Sequence, residues 1–272
     1  SQLNAYCTPK GRILGLMRVF RHGDTWYLRL PADSLEAVIQ RLRMFVMRAD
    51  VTLEDVSDNF QRIGVSGESA GKELADVAGN LPADVNAATH TEDLTVIRVP
   101  GLQPRYEVYA TSMEAGRELW NSLNVRGAPV GESAWRLLEI QAGLPTVFSA
   151  TAELFVPQMA NLELIGGVSF KKGCYPGQEI VARMQHLGTL KRRMYLGTIA
   201  SDKTASPGDS LFPGGDNPQA IGRIVDAQPY PDGGQLVLAV LQIASAEAGD
   251  IFLGAADGPA FTLQALPYSL EA

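Results

Sequence analysis

The feature that most constrains the fold is a strand-then-helix pattern that occurs twice. Residues 26–30 alternate apolar and other side chains, as a half-buried strand does, and an amphipathic helix follows from Asp33. Residues 106–110 alternate in the same way, and Thr111 with Glu114 three positions later forms a capping box that starts a second helix. The two segments match in pattern, and they predict an α+β fold with two similar lobes.

The last third of the chain has a different pattern. Short β-rich runs at residues 195–199, 221–225, 235–243 and 261–266 alternate with turns of Gly, Pro and Asp, as at residues 231–234. A stretch of about eighty residues with this pattern is typical of a small antiparallel β-barrel. We therefore predict a first lobe at 1–58, a second lobe at 59–189 and a C-terminal barrel at 190–272.

Composition narrows the function classes. The net charge of −7 argues against a generally basic surface, so no direct nucleic-acid partner is expected. Two cysteines are too few for a disulfide framework, which indicates a reducing, cytoplasmic location. The sequence has no apolar run long enough for a membrane span, and its three scattered histidines suggest no metal site. The chain begins at Ser1 within what looks like a folded unit, so upstream residues are expected to be missing. A monomer is expected.

The segment whose residue types best suit a chemical role is 171–179, Lys-Lys-Gly-Cys-Tyr-Pro-Gly-Gln-Glu. Two lysines precede Cys174 and a predicted helix follows it, and both the cations and the helix N-terminus favour a thiolate. Gly173 and Gly177 would allow the backbone to approach a ligand closely. The alternative is a buried structural cysteine in a turn.

This segment resembles the signature of the YgfZ family and its mitochondrial iron–sulfur assembly relatives. The matching residues are Lys172, Gly173, Cys174, Tyr175, Gly177, Gln178 and Glu179. Residues 5–12, 157–162, 165–170 and 266–270 are also similar to family segments, so the resemblance covers nearly the whole chain. It implies a folate-binding fold shared with the T-protein of glycine cleavage, in which two α+β lobes and a terminal β-barrel surround a central channel.

The resemblance also implies folate contacts. Trp135, five residues before Gln141, looks like the family segment Trp-x5-Glu-Ala-Gly-x-Pro, whose tryptophan contacts folate. An indole can stack on the flat rings of tetrahydrofolate or a derivative, although a core tryptophan is the alternative. Gln141 stands where relatives have Glu, and it offers one acceptor and one donor. Glu139 would replace it only on an extended backbone, because on a helix the two side chains point about 200° apart.

One departure from the superfamily bears on function. Folate-dependent transferases carry an acidic pair shortly after the Thr-Pro-x-Gly segment, but here no carboxylate follows residues 8–11 before Asp24. The resemblance therefore implies a folate-binding accessory protein with Cys174 as a functional thiol. It would support the assembly or repair of iron–sulfur enzymes, and through them tRNA modification. Its partners would be folate and iron–sulfur enzymes or assembly proteins. A folate-dependent aminomethyl or one-carbon transferase and a scaffold without ligand are the alternatives.

Overall fold

The computed structural model describes residues 1–201, 203–215 and 219–270. Positions 202, 216–218 and 271–272 of the predicted barrel domain lie outside the described residues. The chain forms two compact units. Unit 1 consists of residues 1–2, 18–29 and 39–135, and unit 2 consists of residues 3–17, 30–38 and 136–272. The predicted domain boundaries after residues 58 and 189 stay predictions.

The first part of the chain forms a three-stranded sheet followed by a helix. The strands are β1 (Gln2–Cys7), β2 (Ile13–His22) and β3 (Thr25–Arg29), in that order across the sheet, and α1 (Ala32–Arg43) follows. Strands β2 and β3 form an antiparallel hairpin. Helix α1 has an acidic residue in its first turn and arginines in its last turn, which complements the helix dipole.

The next elements of unit 1 are β4 (Gln61–Ser66), α2 (Ala70–Ala78), β5 (Ala88–His90), β6 (Leu94–Val99), β7 (Arg105–Ala110) and α3 (Met113–Leu123). The strands form a sheet of order β4-β7-β6-β5 in the described ranges, and all neighbouring strands are antiparallel. The two helices cover one face, where Leu74 and Leu119 join the same buried cluster as Val108. The strands β5, β6 and β7 followed by α3 repeat the succession of β1, β2, β3 and α1, which confirms the predicted pair of similar lobes.

The start of α3 differs from the prediction by one residue. Its N-cap is Ser112, whose Oγ accepts a hydrogen bond from the backbone N–H of Ala115 at 3.2 Å. Thr111 does not cap the helix because its backbone N–H and its hydroxyl both donate to the Asp93 carbonyl, at 2.9 and 3.2 Å. Thr111, directly after β7, is thus tied to the residue before β6, the neighbouring strand of the same sheet.

Helix α4 (Glu132–Gln141) leads into unit 2. The elements that follow are α5 (Gln178–His186), β8 (Arg192–Ile199), β9 (Ser210–Pro213), β10 (Gly222–Pro229), β11 (Gln235–Gln242), α6 (Ile243–Ala248), β12 (Ile251–Leu253) and β13 (Phe261–Gln264). The described strands form an antiparallel sheet of order β12-β9-β10-β11-β8-β13. A bridge between Phe252 and Ala260 nearly closes this sheet, and its interior is apolar. The predicted C-terminal barrel is therefore confirmed.

Among the described residues, no helix has both the length and the apolarity to cross a bilayer.

Candidate functional site

A tight turn at residues 8–12 connects β1 to β2 in unit 2. The Thr8 N–H donates to the Arg12 carbonyl at 2.8 Å, and the Gly11 N–H donates to the Thr8 carbonyl at 2.9 Å. The Thr8 hydroxyl also accepts from the Arg12 N–H at 3.2 Å. Gly11 adopts a left-handed conformation with φ of 70°, which a residue with a Cβ rarely adopts. The Thr-Pro-Lys-Gly segment is therefore closed on itself.

The signature segment packs directly on this turn through Gly177. This glycine is the N-cap of α5 and has φ of 82°. A Cβ at this position would lie 2.5 Å from the Thr8 carbonyl oxygen and 2.7 Å from the Gly11 Cα. The close backbone approach that the sequence predicted at Gly177 is thus an approach to the chain itself. At Gly173, by contrast, an added Cβ would meet no atom within 4 Å.

Two glutamines hold the beginning of α5. The Gln178 side-chain oxygen accepts a hydrogen bond from the Tyr175 N–H at 3.2 Å. The Gln158 amide donates to the carbonyl of the buried Val181 at 2.7 Å. Glu179 lies in the first turn of the helix, where a carboxylate complements the helix dipole. Gln178 and Glu179 therefore have structural roles in shaping the signature segment.

The two cysteines of the chain lie in opposite environments. Cys174 is exposed and comes three residues before Gly177, so α5 begins farther from the thiol than the sequence suggested. Cys7 is buried at the end of β1, and its burial raises the pKa of its thiol to about 11. Because thiols react as thiolates and need access, Cys174 is the thiol open to a partner. The ammonium of Lys172 lies 5.1 Å from the ring centroid of Tyr175, at cation–π distance.

Three further family-like segments meet at Tyr268 in unit 2. Its hydroxyl donates to the Gly143 carbonyl at 2.8 Å and accepts from the Asn161 amide at 3.4 Å. The same amide donates to the Met194 carbonyl at 2.8 Å. Burial raises the pKa of Tyr268 to about 12, so the hydroxyl stays protonated. The resemblance in these segments thus corresponds to one set of packing contacts.

Trp135, the first predicted folate contact, lies in unit 1. Its indole packs so closely on Gly64 of β4 that any Cβ there would overlap the ring. The guanidinium of Arg105 lies 4.3 Å from the ring centroid. The indole N–H is buried and has no hydrogen-bond partner among the described residues. Within unit 1 these contacts are those of a core tryptophan, and stacking on folate stays a prediction.

Glu139 and Gln141 lie on the unit 2 part of α4, with Glu139 buried and Gln141 half-buried. Because the segment is helical, Glu139 does not take the direction of Gln141. A helix instead places Glu139 about 40° and Gln141 about 120° around the axis from Trp135. Of the two candidate polar contacts, Glu139 therefore shares a helix face with Trp135.

Unit 1 also contains a buried charged cluster that the sequence did not predict. Glu107 on β7 accepts hydrogen bonds from Arg29 at 2.6 Å, from Arg62 at 2.8 Å and from the Tyr109 hydroxyl at 2.7 Å. Arg18 lies 3.8 Å away. Burial acts to raise the pKa of Glu107, but Arg29, Arg62 and Arg18 together hold it well below its ordinary value. The available signal was an acidic residue flanked by Tyr106 and Val108 in a short strand.

No group of three or more potential metal-ligating side chains occurs in the part of the chain that the structure describes. Two histidines of unit 1, His22 and His90, do lie together, with ring centroids 5.7 Å apart. The Nδ1 atoms of these two rings lie 2.8 and 3.1 Å from the Thr95 hydroxyl. The pair is thus part of a hydrogen-bonded side-chain group.

Comparisons with known proteins agree with this geometry. The chain is 30% identical over 274 residues to the tRNA-modifying protein YgfZ of Cronobacter sakazakii, covering 99% of this chain and 82% of the relative. It is 30% identical to the protein of the same name from Escherichia coli, with the same coverage. The structure of the glycine cleavage system aminomethyltransferase T from Bartonella henselae superposes with a TM-score of 0.75 at 18% identity, covering 98% of this chain and 75% of that one. No protein-family profile matches the chain.

Proposed function

The chain belongs to the family of the tRNA-modifying protein YgfZ, and we propose that it is a folate-binding accessory protein that supports iron–sulfur enzymes. Through those enzymes it would support tRNA modification. The observation that carries the proposal is the exposed thiol of Cys174 in a signature segment that Gly177 seats on the Thr8–Arg12 turn. The buried Cys7 is excluded from the same role by its raised pKa.

In this proposal Cys174 contacts an iron–sulfur cluster transiently, and the cluster is a substrate of the protein and not its resident cofactor. Stable iron–sulfur clusters take about four protein ligands, so one thiolate can ligate a cluster only briefly, in exchange with a ligand from a second protein. The exposed position of Cys174 suits such an exchange with a second protein. The fold shared with an aminomethyltransferase favours folate as the small-molecule ligand. Trp135, Glu139 and Gln141 on α4 are the proposed folate contacts.

The surroundings of the Thr8–Arg12 turn argue against ordinary aminomethyl transfer. The first carboxylate after this turn in the sequence is Asp24, and it lies exposed at the β2–β3 hairpin, where it pairs with Arg21 at 2.7 Å. The acidic group that transferase chemistry uses after this segment is thus absent from the strand that follows the turn. An accessory function needs no such group.

The first test is rescue of iron–sulfur enzyme activity in a strain that lacks its own family member. Cys174→Ala is expected to abolish rescue while the protein stays folded, because the side chain is exposed. Cys7→Ala is the matched control and is expected to retain rescue. In the purified protein, iodoacetamide should modify Cys174 before Cys7, as mass spectrometry can show. Full rescue by Cys174→Ala would remove the thiol from the mechanism.

A second test addresses folate. Tetrahydrofolate is titrated by calorimetry against the wild type, Glu139→Gln and Gln141→Ala. We expect Glu139→Gln to weaken binding by about tenfold, because a hydrogen bond to a charged group contributes roughly 1.5–3 kcal/mol. The helix geometry predicts that Gln141→Ala has a smaller effect than Glu139→Gln. Saturable turnover of tetrahydrofolate with an aminomethyl donor would instead support the transferase alternative. The absence of any folate binding would favour a scaffold.

A further inference from the structure

The surface around α5 has a charge opposite to that of the whole chain. Residues 171–193 hold six Lys and Arg side chains and one acidic side chain, Glu179, so this segment carries +5 in a chain of −7. Arg193 is partly neutralised by Glu163 at 2.5 Å. Lys171, Lys172, Arg183 and Lys191 are exposed. Unit 2 therefore presents a local basic surface that overall composition conceals.

Exposed apolar side chains lie among these cations. Ile180 is 37% exposed and Leu187 is 85% exposed. Ile180 and Arg183 are three residues apart and therefore lie on one side of α5, and Leu187 is the C-cap residue that follows the helix. Phe170 contacts His186 with ring centroids 6.0 Å apart, so the loop before the signature reaches the last turn of α5. We define Lys171, Lys172, Ile180, Arg183, Leu187 and Lys191 as the α5 surface.

We propose that the α5 surface docks an acidic protein partner that carries an apolar anchor side chain beside Cys174. This inference rests on the proposed function and names the kind of client that the thiol serves. A basic rim steers an acidic partner and sets its orientation, while exposed aliphatic groups provide the buried contact. The rest of the chain has 29 acidic and 17 basic side chains, so its net charge does not attract an acidic partner.

The aromatic side chains favour a protein over a nucleic acid as the partner. Bases bind single-stranded sites by stacking on free aromatic faces. Here the Tyr175 ring already has the Lys172 ammonium over it, and the Phe170 ring contacts His186. The most exposed apolar groups, such as Leu187, are aliphatic. These features match an apolar anchor in a protein interface.

The test measures fluorescence anisotropy of a labelled short acidic peptide with Glu and Leu at helical spacing. We expect salt-sensitive binding that Arg183→Glu and Lys191→Glu each weaken by about tenfold, since like charges replace an attraction. Leu187→Ser should weaken it as well, and a peptide with Ser in place of Leu should bind poorly. Lys203→Glu, an exposed charge reversal elsewhere in unit 2, is the matched control and should change binding by less than about twofold. Circular dichroism checks that each variant is folded.

Three results would overturn the docking proposal. They are the absence of peptide binding, binding that the α5 surface variants leave unchanged, and tighter binding of an oligouridylate of equal charge, which would assign the surface to nucleic acid. Cys174→Ala is expected to bind the peptide like the wild type and to lose rescue. If it retains rescue, the proposed function fails, and the peptide measurements alone still decide the docking surface.

Discussion

Gly177→Ala should destabilise unit 2 by separating the signature segment from the Thr8–Arg12 turn. Two effects add at this position. A left-handed φ of 82° costs a residue with a Cβ roughly 1–2 kcal/mol. The new Cβ would also lie 2.5 Å from the Thr8 carbonyl oxygen, and this backbone cannot rotate away as a side chain can. Overpacking of this kind typically costs about 1–3 kcal/mol, so the expected total is about 2–5 kcal/mol.

Two other glycines separate these contributions. Gly166 has φ of 75° but open space around its Cα, so Gly166→Ala should lose only the backbone contribution, roughly 1–2 kcal/mol. Gly173 has open space and no positive φ, so Gly173→Ala should be neutral or should stabilise by roughly 0.4–1 kcal/mol. All three glycines lie in unit 2, within or close to the signature segment.

Urea unfolding followed by far-ultraviolet circular dichroism measures these differences. Tryptophan fluorescence is unsuitable for unit 2 because all three tryptophans lie in unit 1. Hydrogen exchange adds a local readout, since the Gly11 N–H donates to the Thr8 carbonyl and should exchange faster only in Gly177→Ala. If Gly177→Ala is as stable as Gly173→Ala and leaves this amide protected, the packing account of Gly177 is wrong.

Substitutions at three further residues test the interior of the molecule. Glu107→Gln should destabilise unit 1 by roughly 3–5 kcal/mol, because it breaks a buried charged cluster. Because the pKa of Glu107 is lowered in the folded protein, its contribution to the free energy of unfolding is present above the ordinary Glu pKa and is lost as the pH falls towards the folded value. Unfolding of the variant, followed by tryptophan fluorescence, should therefore be less sensitive to acid. Trp135→Phe keeps a ring beside Arg105 and removes a buried N–H without a partner, so it should cost less than about 1.5 kcal/mol, against roughly 3–5 for Trp135→Ala; equal losses would contradict this. Tyr268→Phe should cost roughly 0.5–1.5 kcal/mol in the urea unfolding of unit 2, and no loss would show that its hydrogen bond to Gly143 is dispensable.

Local patterns in the sequence were sufficient to predict these elements of the fold. The helix predicted from Asp33 is α1, and the β-rich runs after residue 193 are strands of the nearly closed barrel. These predictions succeed because side-chain periodicity and turn residues act over a few neighbouring positions. The one-residue error at Thr111 arose where a contact with Asp93, just before the neighbouring strand β6, replaced the helix cap.

The roles of individual residues depended on contacts between distant segments. The sequence by itself determined that residues 171–179 contain a thiol, glycines and cations, and that no carboxylate follows residue 11 before Asp24. Only the tertiary structure decided that Gly177 packs on Thr8 and that Arg18, Arg29 and Arg62 surround Glu107. It also decided that Cys174 is exposed while Cys7 is buried. Burial and electrostatic environment depend on which segments the fold brings together, and local sequence patterns do not contain that information.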